Sequence, residues 1–287
     1  MTPGDGQTLI TGRPHSCGVD VQPVAGERAL VARDGGRTVL VASDLHLGLE
    51  RRMAEEGWHV PSSTEGIVAR LLDLVATQRA DVLVLAGDIK ESLYVASRQE
   101  ESELPRAVGR LADAVEEIHL VKGNHDGDIE AWVPYRRNLK VHGGGGVRVG
   151  DLGVCHGHRW PSKEVVEARH LVMGHNHPFV EFRDALGHAL KEPAWFRTRL
   201  VKERSRERYG DSDPEVILMP PFNELLSGTP LNAARSGGLG PMLARGLVDL
   251  EGAQVYLVDG IHLGRLGDLA LAEGPVGPKR RPRRRRR

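Results

Sequence analysis

Short apolar runs that end directly on aspartate, asparagine or histidine constrain the fold of this chain more than any other feature of its sequence. The first run, residues 39–42, is followed by Ser43, Asp44 and, two positions later, His46. A continuous apolar run bounded by glycine and polar residues is typical of a strand buried on both faces. Ligands of open α/β sheets bind beyond the carboxyl ends of strands, so this end is a candidate site. An aspartate beside an imidazole suits borderline divalent metals.

The same arrangement returns at four later apolar runs. Each of these runs ends in a short polar segment, usually with a glycine that lets the backbone turn sharply. Polar loops without a function would place one or two such groups there by chance, but not five in succession. We therefore interpret the five strand ends as one site. Its candidate residues are Asp44 and His46, Asp88, Asn124 with His125 and Asp126, His156 with His158, and His175 with His177.

Alternating strand and helix patterns in the first half of the chain predict an α/β fold with a parallel sheet. Residues 28–42 read as a hairpin around the turn at 34–36. Ile67, Leu71 and Val75 repeat at helical spacing, which indicates an amphipathic helix. The other elements predicted here are a strand over 81–87, a helix over 104–115 and a strand over 118–121.

The second half reads as shorter strands separated by glycines. A charged insertion at 192–214 places Trp195 and Phe196 among arginines, a mixture that can stack on nucleic-acid bases. The alternative for this insertion is a solvated helix with internal ion pairs. The predicted elements are antiparallel strands over 139–141, 147–149 and 152–155, a helical piece over 163–168, a strand over 170–173, a hairpin over 179–191, a strand over 215–219 and a last strand over 254–258.

The charge of the chain is divided unevenly along its length. Lysine and arginine supply eight of the last nine residues, so the formal net charge of zero hides 31 basic against 39 acidic groups upstream, a net of about −8. We predict a loosely structured lead-in over 1–25, one folded domain over 26–272 and a disordered arginine-rich tail over 273–287. The tail either binds nucleic acid nonspecifically, through counterion release, or has no dedicated partner.

Cysteine content and hydropathy bear on location. The chain has two cysteines, Cys17 and Cys155, which suits a reducing cytoplasm better than a disulfide scaffold. No apolar run approaches 18 residues, and we see no secretory signal, so we expect a cytoplasmic protein without a membrane span.

The five polar segments, in this order, resemble the five motifs of the calcineurin-like metallophosphoesterases. The motifs are Asp44-x-His46, Gly87-Asp88, Gly123-Asn124-His125-Asp126, His156-Gly157-His158 and Gly174-His175-x-His177. Within that superfamily, residues 43–48, 87–90, 174–178 and 219–223 look like the Icc-related phosphoesterases, close to the DNA-ligase-associated branch. The resemblance implies an α/β fold with mixed sheets, arranged as a four-layer αββα sandwich with a dimetal site at the strand ends.

The resemblance also implies how the ligands divide between two divalent cations. Asp88 would bridge the pair and offset the repulsion between them. Mn²⁺ is our first expectation for both ions, with Fe²⁺ or Zn²⁺ as alternatives. A water shared by such ions has a lowered pKa and becomes a nucleophilic hydroxide near neutral pH. The first cation would be held by Asp44, His46 and His177, and the second by Asn124, His156 and His175.

Four further residues receive roles next to the predicted metals. His125 is expected to act as general acid or to stabilise the transition state. Asp126 would orient the His125 imidazole, or else cap a following helix. His158 would support the ligands or face the substrate, and Lys90 would reach a substrate phosphate or be merely solvated.

The expected activity is metal-dependent hydrolysis of a phosphoester, with diesters favoured over monoesters and nucleotides or nucleic acid as candidate substrates. One alternative is a hydrolase of nucleotide-sugar or lipid-linked pyrophosphates, although no amphipathic membrane-facing stretch supports it. The other alternative is a scaffold of the same fold without enzymatic activity. The intact ligand set and His125 argue against the scaffold.

Overall fold

Two mixed β-sheets form the centre of the molecule in the computed structural model, which describes residues 19–93, 97–184, 186–233, 239–269 and 271. In the first sheet the strands lie side by side in chain order, antiparallel from β1 to β3 and parallel from β3 to β6. Its strands are β1 (Asp20–Pro23), β2 (Leu30–Asp34), β3 (Arg37–Ala42), β4 (Val82–Ala86), β5 (Glu117–Val121) and β6 (Leu139–His142).

The second sheet is built from the later part of the chain. Its strands are β7 (Val147–Val149), β8 (Leu152–Cys155), β9 (His170–Met173), β10 (Pro178–Arg183), β11 (Ala189–Arg199), β12 (Glu215–Leu218), β13 (Thr229–Pro230), β14 (Gln254–Leu257) and β15 (His262–Arg265). Their order is β13-β10-β11-β12-β9-β8-β7, and β14 pairs with β11 and β15. Strand β9 is parallel to both of its neighbours, β8 and β12, so the carboxyl ends of all three strands lie at one edge.

Helices pack against the outer faces of the two sheets and beside the carboxyl ends of their strands. They are α1 (Leu49–Glu55), α2 (Thr64–Gln78), α3 (Arg98–Asp113), α4 (Lys163–Val166), α5 (Lys202–Tyr209) and α6 (Gly240–Ala244). A capping box between Ser97 and Glu100 starts α3, six residues before the apolar stripe from which the helix was predicted. None of the helices in the described part of the chain has the length and apolar character needed to cross a membrane.

Three apolar clusters show how these layers pack. One cluster joins residues of β2, β3 and β4 to residues of β8, β9, β11 and β12, so it fills the space between the two sheets. A second cluster packs α2 and α3 on the outer face of the first sheet, and a third packs α4, α5 and α6 on the second sheet. The predicted four-layer sandwich with mixed sheets is therefore confirmed.

One predicted strand differs from the structure in how it pairs, and other elements of the structure were not predicted. Strand β6 was expected to be antiparallel, but it lies at the edge of the first sheet, parallel to β5. Strand β15 follows the strand that was predicted to be the last one. Residues 49–55, for which no element was predicted, form α1.

The aromatic residues of the charged insertion are not exposed. Trp195 and Phe196 are fully buried in β11, so the hypothesis that they stack on bases is wrong. Lys202 and Arg206 pair with Asp213 and Asp211, which agrees with the alternative of an ion-paired helix.

The lead-in predicted over 1–25 includes strand β1, whereas residues 1–18 and the arginine-rich tail at 273–287 lie outside the described residues.

Candidate metal centre

The carboxyl ends of five parallel strands bring the predicted ligands to one edge of the sandwich. Asp44, Asp88 and Asn124 follow β3, β4 and β5 of the first sheet, while His156 and His175 follow β8 and β9 of the second. Backbone bonds lock the loops of the first sheet together, because Asp44 N–H donates to the Gly87 carbonyl at 3.0 Å and His46 N–H to the Asp88 carbonyl at 2.9 Å.

One cluster that could hold a cation consists of Asp44, His46 and His177, whose ligand atoms all lie within 4.8 Å of one another. His177 Nε2 is 3.1 Å from Asp44 Oδ1. Asp44 is fully buried and His46 nearly so, which means that water does not screen these groups. This is the set expected for the first cation.

The second cluster consists of Asp88, His156 and His175. His156 Nε2 lies 3.2 Å from Asp88 Oδ2 and 3.2 Å from Asn124 Oδ1, so the amide oxygen of Asn124 joins this group. Burial and the charge of His156 lower the pKa of His175 to about 4, which leaves its imidazole neutral, as a metal ligand must be.

Asp88 belongs to both halves of the site. Its Oδ2 atom is 3.5 Å from His46 Nε2 as well as 3.2 Å from His156 Nε2. It forms a third cluster with His46 and His125. A carboxylate between two groups of imidazoles is placed where a bridging ligand would be needed.

The imidazoles are oriented as metal ligands usually are. Each of four rings directs Nδ1 at an oxygen: His46 at Glu91 Oε2 (2.6 Å), His125 at the Glu91 carbonyl, His156 at the Ala86 carbonyl (2.9 Å) and His177 at the Ser227 carbonyl (3.3 Å). An Nδ1–H that donates outward leaves Nε2 as the atom with a free lone pair. In all four residues Nε2 lies near an aspartate, and Nδ1 of His156 is in addition 3.7 Å from Asp44 Oδ1.

The backbone is strained at the same positions. Asp44, His46, Asp88, His175 and His177 all have positive φ values, between 39° and 68°, a region that side-chain-bearing residues rarely adopt. Outside this site, Arg79 is the one other non-glycine residue of the described chain with positive φ. Such strain persists only where the surroundings hold it, and it concentrates at functional sites.

Two glycines of the motifs are required by close approach. A Cβ atom on Gly123 would overlap Asp88 Oδ1, and one on Gly174 would overlap Ser43 Oγ and come within 2.7 Å of Asp44 Oδ2. Larger residues would displace the two aspartates, which explains the glycines at these two strand ends.

The two aspartates create a field that favours positive charge. Burial raises the pKa of Asp44, but the charge and hydrogen bond of His177 outweigh burial and hold that pKa at about 2. For Asp88, the hydrogen bond and charge of His156 likewise outweigh burial and lower the pKa. Burial alone would lower the pKa of His156, yet Asp88 and Asp44 raise it to about 9. Protonated imidazoles or bound cations would compensate the negative charge of the two aspartates.

One buried atom fits a metal in particular. His46 Nε2 is buried and has no hydrogen-bond partner among the described residues, although the ring is fixed through Nδ1. A buried nitrogen left without a hydrogen-bond partner is costly. Together with the oxygen and nitrogen donors around it, this atom fits a divalent cation.

The expected role of Asp126 is wrong. Its fully buried carboxylate accepts from the N–H groups of Gly123 (2.9 Å), Ile89 (3.0 Å) and Lys90 (3.3 Å). It thereby ties the loop after β4 to the loop after β5. The His125 ring is held instead by the Glu91 carbonyl, and Asp126 also caps no helix, so neither of the two expectations is met.

Lys90 also differs from expectation. Its side chain is completely buried, bonds the Ser92 carbonyl and lies 3.1 Å from Asp128 Oδ1. An ammonium held in this way does not reach a phosphate, so Lys90 is corrected to a structural ion pair. His158 contacts the rings of His156 and His175, with centroids at 5.3 and 6.1 Å, which supports the alternative that it packs against the ligands.

Sequence patterns missed Glu91. It is buried, its Oε2 accepts from His46 and its Oε1 is 2.5 Å from Arg52 Nη1. Its place three residues after Asp88 is the one signal that could have pointed to it, because neither periodicity nor a run of like residues marks the position.

An open cleft of about 750 Å³ lies over the candidate centre. Asp88, Asn124 and His125 face it together with His46, His175 and His177. The residues beyond these that line the cleft are Leu49, Arg52, Met53, Glu56, Trp58, Asn176, Leu225, Leu226, Ser227, Gly228, Thr229 and Leu239. Substrate therefore has direct access to the ligands.

A sequence profile of the calcineurin-like phosphoesterases matches residues 37–208, which is more than half of the 287 residues and includes every candidate ligand. The chain belongs to the calcineurin-like phosphoesterase family. As a calcineurin-like phosphoesterase, it is a metal-dependent hydrolase of phosphoesters.

Two solved structures are similar to this calcineurin-like phosphoesterase. Nuclease MPE of Pseudomonas putida is 19% identical, with a TM-score of 0.49 and coverage of 84% of this chain and 98% of the nuclease. The phosphoesterase Yfce of E. coli is 17% identical, with a TM-score of 0.37 and coverage of 79% of this chain and 97% of its own. A comparison with curated protein sequences gives no match.

Proposed function

We propose that this phosphoesterase hydrolyses phosphodiesters with the help of two divalent cations. The observation that carries the proposal is the shared position of Asp88, within 3.5 Å of an imidazole nitrogen of each ligand cluster. Asp44, His46 and His177 would hold one cation with Asp88, and Asn124, His156 and His175 would hold the other. Bound divalent cations would supply Lewis-acid stabilisation of the phosphoryl group and a nucleophile at neutral pH.

His125 would act on the leaving group. Its Nδ1 is fixed by the Glu91 carbonyl and its Nε2 lies 3.9 Å from Asp88 Oδ2. The side chain is part of the cleft lining, so Nε2 can meet an ester oxygen of a substrate bound over the aspartates. A proton delivered there, or a positive charge held there, would stabilise the departing alkoxide.

The lining of the cleft favours diesters over monoesters. Arg52 is the only arginine or lysine among the described lining residues, and its guanidinium is already paired with Glu91. A monoester dianion would gain more from additional cations than this wall provides. Two separate segments, at 49–58 and 225–229, line the cleft beyond the ligands and give room for substituents on the phosphate.

An activity comparison tests this function. We expect bis-p-nitrophenyl phosphate to be hydrolysed faster than p-nitrophenyl phosphate when Mn²⁺ is added, and neither to be hydrolysed in chelator. Asp88→Asn should abolish the metal-dependent rate, whereas Asp73→Asn, at an exposed position of α2, should leave it unchanged. Diester hydrolysis that survives in Asp88→Asn would remove the bridging role, and no metal-dependent turnover at all would favour the scaffold.

We further propose Mn²⁺ as the metal and the cytoplasm as the location. Mixed nitrogen and oxygen donors support Mn²⁺ without excluding Fe²⁺ or Zn²⁺, since such sites do not select by affinity alone. Elemental analysis of the protein as isolated, together with the rate that each of the three ions supports when added to metal-free protein, tests the metal. A free, fully buried Cys155 agrees with a reducing compartment, and fractionation of cells tests the location.

A further inference from the structure

We propose that Trp58 is a stacking platform for a nucleobase of the substrate, so that the phosphodiester cleaved at the candidate metal centre is that of a nucleotide or a single nucleic-acid strand. This inference rests on the proposed function and adds a substrate class to it. Trp58 lines the cleft over the candidate ligands, yet 67% of its surface remains accessible. A tryptophan this exposed is unusual in a folded domain.

The backbone beneath the indole is fixed. Helix α1 ends in a Schellman motif, in which Gly57 has a φ of 94°, its N–H donates to the Ala54 carbonyl at 3.0 Å and Trp58 N–H donates to the Met53 carbonyl at 2.8 Å. Five residues further on, Ser63 N–H donates to Glu50 Oε1 at 2.8 Å. Both ends of the loop are therefore tied to α1. The ring is presented on a pre-organised turn, which reduces the entropic cost of binding to it.

The same helix is joined directly to the candidate centre. Arg52 Nη1 is 2.5 Å from Glu91 Oε1, and Glu91 Oε2 is 2.6 Å from Nδ1 of the candidate ligand His46. Trp58 is thus placed by an element that also positions a ligand. A group stacked on the indole would belong to the same molecule as a phosphate bound over the ligands.

The chemistry around Trp58 favours a base over an acyl chain. Arg52 and Glu56 line the cleft with it, and the centre of the cleft consists of aspartate, asparagine and histidine side chains. An acyl chain needs a continuous apolar surface, which these polar groups interrupt. A nucleobase needs only one aromatic face together with polar groups at its edge, and stacking on an aromatic side chain tolerates any base. The other exposed apolar lining residues, Leu225 and Leu239, are small by comparison.

Substitutions at Trp58 test the inference through kinetics. We would measure kcat and KM with a single-stranded oligothymidylate and with an abasic oligonucleotide of the same length, in Mn²⁺. Trp58→Ala should raise KM for the oligothymidylate by roughly tenfold, the scale of one lost stacked base, and leave kcat and the abasic substrate little changed. Trp58→Phe should retain most of the affinity. Tyr135→Ala, which removes another highly exposed aromatic residue that does not line the cleft, is the matched control.

The two oligonucleotides, measured beside a long-chain alkyl phosphodiester, separate failure of this inference from failure of the proposed function. An equal effect of Trp58→Ala on both oligonucleotides, or no effect on either, would overturn the stacking platform while diester hydrolysis stands. A selective loss on a long-chain alkyl phosphodiester would overturn it in favour of an aliphatic ligand.

A binding measurement does not depend on turnover. In chelator and at low salt, oligothymidylate should quench tryptophan emission of the full chain, and Trp58→Phe should remove that quenching. Quenching that depends on Trp58 in a protein without diesterase activity would keep the base site and reject the proposed function. Quenching that is unchanged in Trp58→Phe would reject the base site.

Discussion

Glu91 positions two histidines of the candidate centre at once. Its carboxylate accepts the Nδ1 proton of His46, and its backbone carbonyl accepts that of His125. Arg52 holds the other carboxylate oxygen, at 2.5 Å, so the group is fixed from the solvent side as well. A carboxylate behind a ligand imidazole sets the tautomer and raises the basicity of the ligand nitrogen. One residue therefore supports both a predicted ligand and the predicted general acid.

Glu91→Gln should lower metal affinity by roughly 10- to 100-fold, the usual effect of removing such a carboxylate partner. An amide oxygen can still accept the Nδ1 proton, so the fold and the position of His46 should be retained while the basicity of Nε2 falls. Competition with a fluorescent chelator measures the affinity, and Glu101→Gln on the exposed face of α3 serves as control. An affinity equal to that of the unaltered protein would show that Glu91 does not act on the metal site.

His125→Ala should reduce kcat by a factor of roughly 10² to 10⁴ without removing metal, because the residue is assigned to the leaving group. The alternative role of His125 is that of a metal ligand, since it also clusters with His46 and Asp88. Metal stoichiometry therefore has to be measured beside the rate. His59→Ala, at an exposed position of the neighbouring loop, is the control. Loss of metal in His125→Ala would make the residue a ligand.

At the scale of the elements, the sequence predicted where strands end, but it did not predict how every strand pairs with its neighbours in the sheet. The runs before Asp44, Asp88 and His156 are buried on both faces, which a sequence shows directly. Residues 139–141 would look the same in a parallel or an antiparallel strand. Their pairing depends on contacts distant in sequence, here the parallel ladder with β5.

Other features escaped prediction for similar reasons. Helix α1 has only Leu49 and Glu50 buried, so it carries no apolar stripe. The burial of Trp195 follows from its place in a long central strand, whereas its charged neighbours suggested a surface. The side chains of adjacent residues also point in different directions, so the motif did not predict their separate roles. Asp126 faces the amides of the loop after β4, while His125 faces the cleft.

An ion triad across three strands provides a test of how the second sheet is held together. Glu215 at the start of β12 receives two hydrogen bonds from Arg197 of β11, at 2.9 and 2.8 Å, and contacts His170 Nδ1 of β9 at 3.0 Å. Burial raises the pKa of Glu215, but these hydrogen bonds outweigh burial and bring the pKa to about 2. A carboxylate with a lowered pKa stabilises the fold above its unfolded-state pKa, and this contribution is lost as the pH falls toward 2.

Glu215→Gln should therefore lower the free energy of unfolding by about 2–3 kcal/mol at pH 7. The difference between the two proteins should shrink as the pH falls from about 4.5 toward 2, because the native glutamate then becomes protonated. Urea unfolding at a series of pH values measures this difference. Glu203→Gln, exposed on α5, should show no such trend, and a difference independent of pH would mean that the charge of Glu215 is not the cause.

At the scale of the whole molecule, the candidate centre joins the two halves of the sandwich. Asp44, His46, Asp88 and Asn124 belong to loops of the first sheet, while His156, His175 and His177 belong to loops of the second. Without cations, the buried aspartates depend on protonated imidazoles, as the raised pKa of His156, about 9, indicates. Cations at this position would replace the protons and connect the sheets. The metal should consequently stabilise the entire fold as well as the loops.

Mn²⁺ should raise the thermal midpoint of unfolding relative to protein in chelator. Metal at 100 times its dissociation constant contributes about 2.7 kcal/mol, or a shift on the order of 5–10 °C for a chain of this size. The shift should grow as the pH rises from 6 toward 9, because the metal competes with the proton on His156. Asp88→Asn should lose most of the shift, and Asp73→Asn should keep it. In chelator, Asp88→Asn should be less stable than the unaltered protein, because the charge of Asp88 is stabilised by His156 and its loss leaves that imidazole without its carboxylate partner. A metal-induced shift of equal size in Asp88→Asn would mean that the cations bind elsewhere and that the two sheets are joined without them.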